Sequence, residues 1–493
     1  MRLTSADWIA ILPAAFLVAG SLAAALAGAG RRRPGGGPDP GGLGWPLEAC
    51  AFLGLGIPLG LVAGRLRGGA SPAAGFGGAV VLDDLALLVS LVVLSAAGLA
   101  ILLSVDFLDR RGVPKGEYVA LVLLSAAGMV LLVQSRDLIT LFMSVELLSL
   151  GLYALAGTLR EERRSVEAAA KYFVPGALAS AFLLYGLALL YGASGALSLG
   201  EIGRALRERP PGLFSPAALG MALAAVGFMF KVGAVPFHVW VPDVYEGAPT
   251  AVTAFMAAAV KASAFGALLR ILLDLGPLPS GIAEIIAAVA AATMVGGNAA
   301  ALRQDSVKRM LAYSSVAHAG YVLVAVASLP GAGPEAASAA VFYLAAYAFM
   351  TLGAFAFLEW MGREGREAEG VDSFDGLGRR RPWAAAAMTL FLLSLGGIPP
   401  TAGFFAKFWV FKAALEGGQV LLVVIGVLTT ALSLYYYLRV VAALYLKPPP
   451  EGAREEVSAS AGFAVAVAAA ATLLLGLWPS GFLAAARMAI SNQ

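Results

Sequence analysis

Fourteen apolar runs, each close to 20 residues or longer, follow one another along this 493-residue chain. A run of that length is what an α-helix needs to cross the roughly 30 Å hydrocarbon layer of a bilayer. The runs lie at about 7–29, 46–64, 79–105, 117–135, 137–158, 166–193, 216–240, 249–274, 279–301, 307–329, 335–361, 383–411, 418–446 and 459–486. In lipid every backbone polar group must find its partner within the protein, so such runs fold as helices. The sequence therefore predicts an all-α polytopic membrane protein. Only 13% of its residues are charged, against roughly 25% in soluble domains. The longest polar connections, 30–45, 194–215 and 362–382, are too short to fold as separate domains.

Several functions are excluded early. Cys50 is the single cysteine, which leaves no disulfide framework and no cysteine-ligated iron–sulfur site. His238 and His318 are too few for a histidine metal centre. A net charge of +3 gives no footprint for nucleic acid, and no glycine-rich nucleotide loop follows a strand pattern.

Basic residues set an expected orientation. They concentrate in the loops after odd-numbered runs, among them Arg31, Arg32, Arg33, Arg110, Arg111, Lys115, Arg363, Arg366 and Arg454. Loops after even-numbered runs hold fewer, namely Arg65, Arg67, Arg136, Arg204, Arg207, Arg209, Arg270 and Lys412. The odd loops are then cytoplasmic and both termini lie outside. The first run has only Arg2 before it and a basic cluster after it, so it reads as a retained helix rather than a cleaved signal.

Two runs are interrupted alike. The seventh carries Pro236 well inside it, and the twelfth carries Gly396, Gly397, Pro399 and Pro400 near its middle. Proline removes a helical hydrogen bond, and in lipid such breaks persist only where they face protein or a polar cavity. The breaks are five runs apart, and an odd spacing makes the two helices antiparallel. Helices 4–8 and 9–13 are thus expected as two inverted five-helix repeats with discontinuous helices 7 and 12, an arrangement known from transporters. The division follows: 1–105 for helices 1–3, 106–274 and 275–447 for the two repeats, and 448–493 for helix 14.

Within these spans lie Glu146, Lys171, Lys231, Lys261 and Lys407. A charge at the bilayer centre costs about 2.5–3.5 kcal/mol on insertion scales, and ionisable groups kept there mark ion paths or proton relays. Glu146 is nine residues into the fifth helix. Lys171 is close enough to its helix end either to reach headgroups or to stretch toward Glu146. Lys231 and Lys261 are too deep to snorkel. A buried lysine whose carboxylate partner comes and goes is a protonation switch. His238 sits between those lysines in sequence, and His318 fills the gap between helices 8 and 12. Each charge also has a structural alternative, as a satisfied group that only fixes helix packing. Together the residues suggest a polar axis lying in the membrane plane.

The string HVWVPDVYEGAPTAVTAFM (238–256) follows FKVGAVPF. With VELLSLGLYAL, AAKYFVPGALASAFLLYG and GGIPPTAGFFAKF, it resembles the subunit N family of proton-pumping NADH–quinone oxidoreductase, respiratory complex I. The resemblance covers at least helices 4–13. It implies a proton-translocating antiporter-like subunit in a bacterial plasma membrane, in a hetero-oligomer with other antiporter-like and small bundle subunits. Glu146 with Lys171 resembles a carboxylate–lysine pair, Lys231 the lysine of an input half-channel, Lys261 and His318 connecting residues, and Lys407 the terminal lysine. FMN, iron–sulfur clusters and quinone are implied in partner subunits and none in this chain, which acts as a non-redox part of the translocase. An Mrp-type sodium/proton antiporter subunit and a purely structural membrane subunit are the alternative readings.

Overall fold

The computed structural model describes residues 3–29, 44–69, 71–212, 215–276, 281–362, 369–449 and 458–492. Arg31, Arg32, Arg33, Arg363, Arg366 and Arg454 lie outside the described residues. The order of helices is α1 (Ser5–Ala29), α2 (Trp45–Gly68), α3 (Asp84–Arg111), α4 (Lys115–Gln134), α5 (Leu138–Ala156), α6 (Arg163–Ser194), α7 (Leu199–Glu208), α8 (Pro216–Val232), α9 (Trp240–Gly247) and α10 (Thr250–Phe255). A π-helical turn, Met256–Val260, joins α10 to α11 (Lys261–Leu275). There follow α12 (Ile282–Ala301), α13 (Val307–Ala327), α14 (Leu329–Ala332), α15 (Pro334–Trp360), α16 (Leu377–Arg380), α17 (Pro382–Gly396), α18 (Ala402–Glu416), α19 (Val420–Leu446), α20 (Ala459–Leu477) and α21 (Pro479–Ser491).

Among the described residues 12 helices are long and apolar enough to span a bilayer, with α10–α11 taken as one. The expected seventh and twelfth spans are each built from two pieces, α8 with α9 and α17 with α18. That accounts for the fourteen runs, and it makes helices 7 and 12 discontinuous.

The lipid-spanning helices begin and end where local chemistry dictates. Asp83 accepts from the amide of Ala86 to cap α3, and Asp137 accepts from Ile139 and Thr140 to cap α5. Helices α1 and α4 approach so closely that a Cβ placed on Gly116 would sit 2.5 Å from the Cα of Gly28. Small residues at such a crossing are what lets two backbones pack in lipid, where apolar burial alone gives no drive to associate. Helices α10–α11, α13 and α15 are buried on nearly all sides, while α1, α2, α6, α12, α19 and α20 present broad outer faces. That inner group carries Lys261 and His318, and the helices packed around it, α5, α8 and α18, carry Glu146, Lys231 and Lys407.

Three expectations are corrected. Residues 79–82 do not open the third helix: Val80–Leu82 pairs antiparallel with Ala73–Gly75 as a short hairpin, and the helix starts at its Asp83 cap. Arg270 is no loop residue. It is fully buried in α11, where its guanidinium grips Asp83 with both terminal nitrogens, at 2.7 and 2.6 Å, and its Nε donates to the carbonyl of Val133. Lys308, expected from its place at the start of the tenth run to be a cytoplasmic anchor, is likewise buried and donates to the carbonyl of Ala248 at 2.8 Å. The bidentate partner and the carbonyls remove the need for water at these charges.

Candidate functional site

The two breaks are built alike. Helix α8 ends on Gly233 (φ 73°) and α17 on Gly397 (φ 80°), both in the left-handed region that a side chain disfavours. The amide of Gly233 donates to Phe230 at 3.1 Å and that of Ala234 to Met229 at 2.9 Å. The amide of Gly397 donates to Ser394 at 2.9 Å and that of Ile398 to Leu393 at 3.0 Å. Each is a Schellman ending, which closes the last turn on itself. Pro236 and Pro400 each follow three residues after the glycine, and Pro399 precedes Pro400. The remaining polar groups are met by side chains. Thr293 of α12 accepts from the amide of Val235 at 3.0 Å, and Ser394 accepts from Gly403 at 3.1 Å. Trp240 donates to the carbonyl of Phe230 at 3.1 Å. Interrupted backbone survives in the membrane because protein supplies these partners.

Lys231 sits in the last turn of α8 and is buried. Its Nζ donates to Ser149 Oγ of α5 at 2.6 Å and lies over the rings of Tyr153, Tyr172 and Phe230 at 5.4, 5.7 and 5.7 Å. Ser149 is one turn from Glu146, on the same side of α5. The charge of Glu146 acts on both Lys231 and Tyr153. Its Oε1 is buried and accepts no hydrogen bond among the described residues.

Lys171 is not joined to Glu146 in this structure. Its Nζ is 2.8 Å from Glu167 one turn earlier and 2.8 Å from Asp243 of α9. Asp243 also takes Arg309 at 2.9 Å, and Arg309 takes Glu246 at 2.7 Å. Lys171 is half-exposed, so nearby carboxylates at the helix end outcompete a deeper one. A charged network at the mouth thus binds α6, α9 and α13. His238 falls in the break rather than in a helix, with its half-buried ring beside the backbone of Pro236.

Lys261 opens α11 directly after the π turn, a distortion frequent at functional sites. Its Nζ donates to the carbonyl of Ser315 and lies 5.6 Å from the ring of Tyr347. His318 is buried on α13, with Nδ1 2.7 Å from Tyr343 Oη and Nε2 3.4 Å from Tyr437 Oη, which itself bonds Ser314. Lys261 and Lys407 lie to either side of this imidazole. Lys407, on α18, donates to the carbonyls of Leu395 at 3.0 Å and Gly396 at 3.4 Å, and lies 4.8 Å from the Tyr321 ring. The negative end of the α17 dipole favours an ammonium there.

These contacts join into one buried line. From Lys231 it runs past the rings of Phe230 and Trp240 to Tyr245 (Trp240 and Tyr245 centroids 6.0 Å apart), then Ser315 and Lys261, then by the Tyr347 ring (5.1 Å from the imidazole) to His318, Tyr321 (5.6 Å from the imidazole) and Lys407. Sequence reasoning missed Ser149, Ser315, Tyr343, Tyr437, Asp243 and Arg309. The shared Gly-x-x-Pro spacing of Gly233–Pro236 and Gly397–Pro400 was a legible signal for the matched breaks. The hydroxyls carried none, because serine and tyrosine recur throughout the chain.

Among the described residues no group of three or more His, Cys, Asp or Glu is placed to hold a metal ion.

The broken helices and the line of buried cations define an antiporter-like membrane subunit. Residues 135–433 match the transmembrane family described as NADH:quinone oxidoreductase/Mrp antiporter. The chain is 42% identical over 452 residues to NADH-quinone oxidoreductase subunit N of Trichlorobacter lovleyi, covering 91% of each. It is 44% identical over 439 residues to subunit N of Myxococcus xanthus, covering 82% of this chain and 83% of that one. A chain of respiratory complex I from Thermus thermophilus shares the fold with a TM-score of 0.79 at 36% identity, covering 96% of this chain and 98% of its own. The chain belongs to the NADH:quinone oxidoreductase/Mrp antiporter family and, within it, to the subunit N family.

Proposed function

We propose that this chain moves protons along the buried line from Lys231 to Lys407, as a non-redox membrane subunit of NADH–quinone oxidoreductase. The observation that carries the reading is the buried row of Lys231, Lys261, His318 and Lys407, held among hydroxyls, backbone carbonyls and aromatic rings between two matched helix breaks. Electron transfer from NADH to quinone belongs to partner subunits, which hold the FMN and iron–sulfur clusters. A lone Cys50 does not fit a cysteine-ligated cluster. The chain sits in a bacterial plasma membrane with both termini outside, and the face bearing Arg110, Arg111 and Lys115 is cytoplasmic.

The matched Schellman breaks support two inverted repeats, 106–274 and 275–447, each contributing one half-channel. The switch is the environment of Lys231. A carboxylate beside an ammonium holds its proton, so withdrawal of Glu146 from Lys231 would release that proton toward Lys261. Lys171 now holds Glu167 and Asp243. Leaving Asp243 for Glu146 would couple the mouth network to the switch. Moving one proton against 100 mV takes about 2.3 kcal/mol, and a pKa change of two units supplies about 2.7 kcal/mol.

The test is proton pumping coupled to NADH oxidation in assembled complexes carrying Glu146→Ala or Lys231→Ala. Both variants should pump fewer protons per electron. Wild-type pumping in both defeats the proposal.

A further inference from the structure

Helix α15 carries a second row of functional groups that leaves the lysine line sideways. Tyr343, Tyr347, Thr351, Phe355 and Glu359 recur every fourth residue, so each is the neighbour of the next along one ridge of the helix. All five are buried. At the inner end Tyr343 bonds His318, and the ring of Tyr347 stands beside Lys261. The hydroxyl of Tyr347 is flanked by those of Ser315 and Thr351. Among the described residues none of these three hydroxyls makes a well-formed hydrogen bond, though all three oxygens are buried. Buried hydroxyls that lie close together without closing a hydrogen bond are places where proteins hold internal water. At the outer end Glu359 is only 5% exposed and takes Arg110 Nη2 at 3.1 Å, while Arg110 reaches the surface at 28% exposure. From Tyr347 to Glu359 the ridge runs about 18 Å at 1.5 Å per residue.

We propose that this ridge is a second proton branch, joining Lys261 to the face that bears Arg110, with Glu359 as its terminal exchange group. The inference rests on the reading of the lysine line as a proton path. Water at the surface gives a proton to the Glu359 carboxylate. That proton passes through water held by the Thr351, Tyr347 and Ser315 hydroxyls, each accepting one proton as it donates another, to the neutral amine of Lys261. Transfer in the other direction uses the same groups. Phe355 interposes one apolar turn between Thr351 and Glu359. Its ring lies against Tyr245 of α9 (centroids 6.2 Å apart), the short helix whose Asp243 holds Lys171 and Arg309. Displacement of α9 would therefore shift the side chain that closes the branch.

The experiment measures protons pumped per electron by the whole complex in proteoliposomes, for Glu359→Gln, Glu359→Asp, Thr351→Val, Lys261→Ala and Lys231→Ala. Glu359→Gln keeps a hydrogen-bond acceptor for Arg110 but cannot exchange a proton, and Thr351→Val removes one hydroxyl at nearly constant volume. The ratio should fall in both to the level of Lys261→Ala and recover in Glu359→Asp. A wild-type ratio in Glu359→Gln and Thr351→Val, with a lowered one in Lys231→Ala, overturns the branch and leaves the main line standing. A wild-type ratio in Lys231→Ala as well defeats both. If Glu359→Gln fails to assemble, Thr351→Val decides alone.

Discussion

The ammonium of Lys407 donates to the carbonyl of Leu395 at 3.0 Å, so the lysine of one half-helix closes the broken end of the other. The same group meets Gly396 at 3.4 Å and covers the ring of Tyr321. On the proposed path, the charge that stabilises the break is also the terminal group. Lys407→Met should strand both carbonyls in the interior, at a cost of about 1–3 kcal/mol for each buried group left unsatisfied. The expected result is a lower melting temperature of the purified complex together with reduced pumping. Lys407→Arg keeps the charge and should recover the melting temperature more fully than the pumping, because guanidinium does not release its proton.

Gly397 tests the geometry of the break itself. It has a φ of 80°, and a Cβ there would lie 3.1 Å from Lys407 Cδ. Gly397→Ala should cost about 1–2 kcal/mol from backbone conformation alone and push Lys407 from its carbonyls. Gly233→Ala meets the side chain of Val241 at 2.8 Å instead and should disturb the turn that carries Lys231 in the same way. Pumping and thermal stability of both variants provide the check, and no loss in either would show that the breaks tolerate a side chain.

Ser149 is the partner that holds Lys231, at 2.6 Å. Ser149→Ala removes one hydrogen bond to a charged group, worth about 1.5–3 kcal/mol, without touching a titratable residue. Pumping should fall in an assembled complex, and Ser149→Thr should restore most of it.

The Arg270–Asp83 pair tests structure rather than transport. Both groups are buried, and Arg270 also holds the end of α4 through Val133. Removing one partner of a buried pair costs about 3–5 kcal/mol, whereas replacing both with apolar groups of similar volume is often neutral. Arg270→Met should sharply reduce the amount of assembled complex, and Arg270→Met with Asp83→Leu should recover much of it. Membrane content of the chain, read by immunoblot, settles the comparison.

Much of the fold was legible because lipid allows so few solutions. A run long enough to span and too apolar for water becomes a helix, and the long helices follow the runs, except that the last run, 459–486, breaks at Trp478 into α20 and α21. Depth along each helix was legible too, which is why Glu146, Lys231 and Lys261 stand out. Facing was not. Nothing in the sequence near Lys171 favours Glu146 over Glu167 and Asp243, since the choice depends on where α9 folds after the break. Arg270 read as a loop charge because its partner, Asp83, is 187 residues away. The hairpin at 73–82 read as a helix start because its three-residue strands are too short to show alternation.

The most direct test is the number of protons pumped per electron by assembled complexes carrying Lys261→Ala, the change at the middle of the line. The account predicts fewer protons per electron than in the wild type. A wild-type ratio in that variant would contradict it, because no proton could then depend on the passage between Lys231 and Lys407.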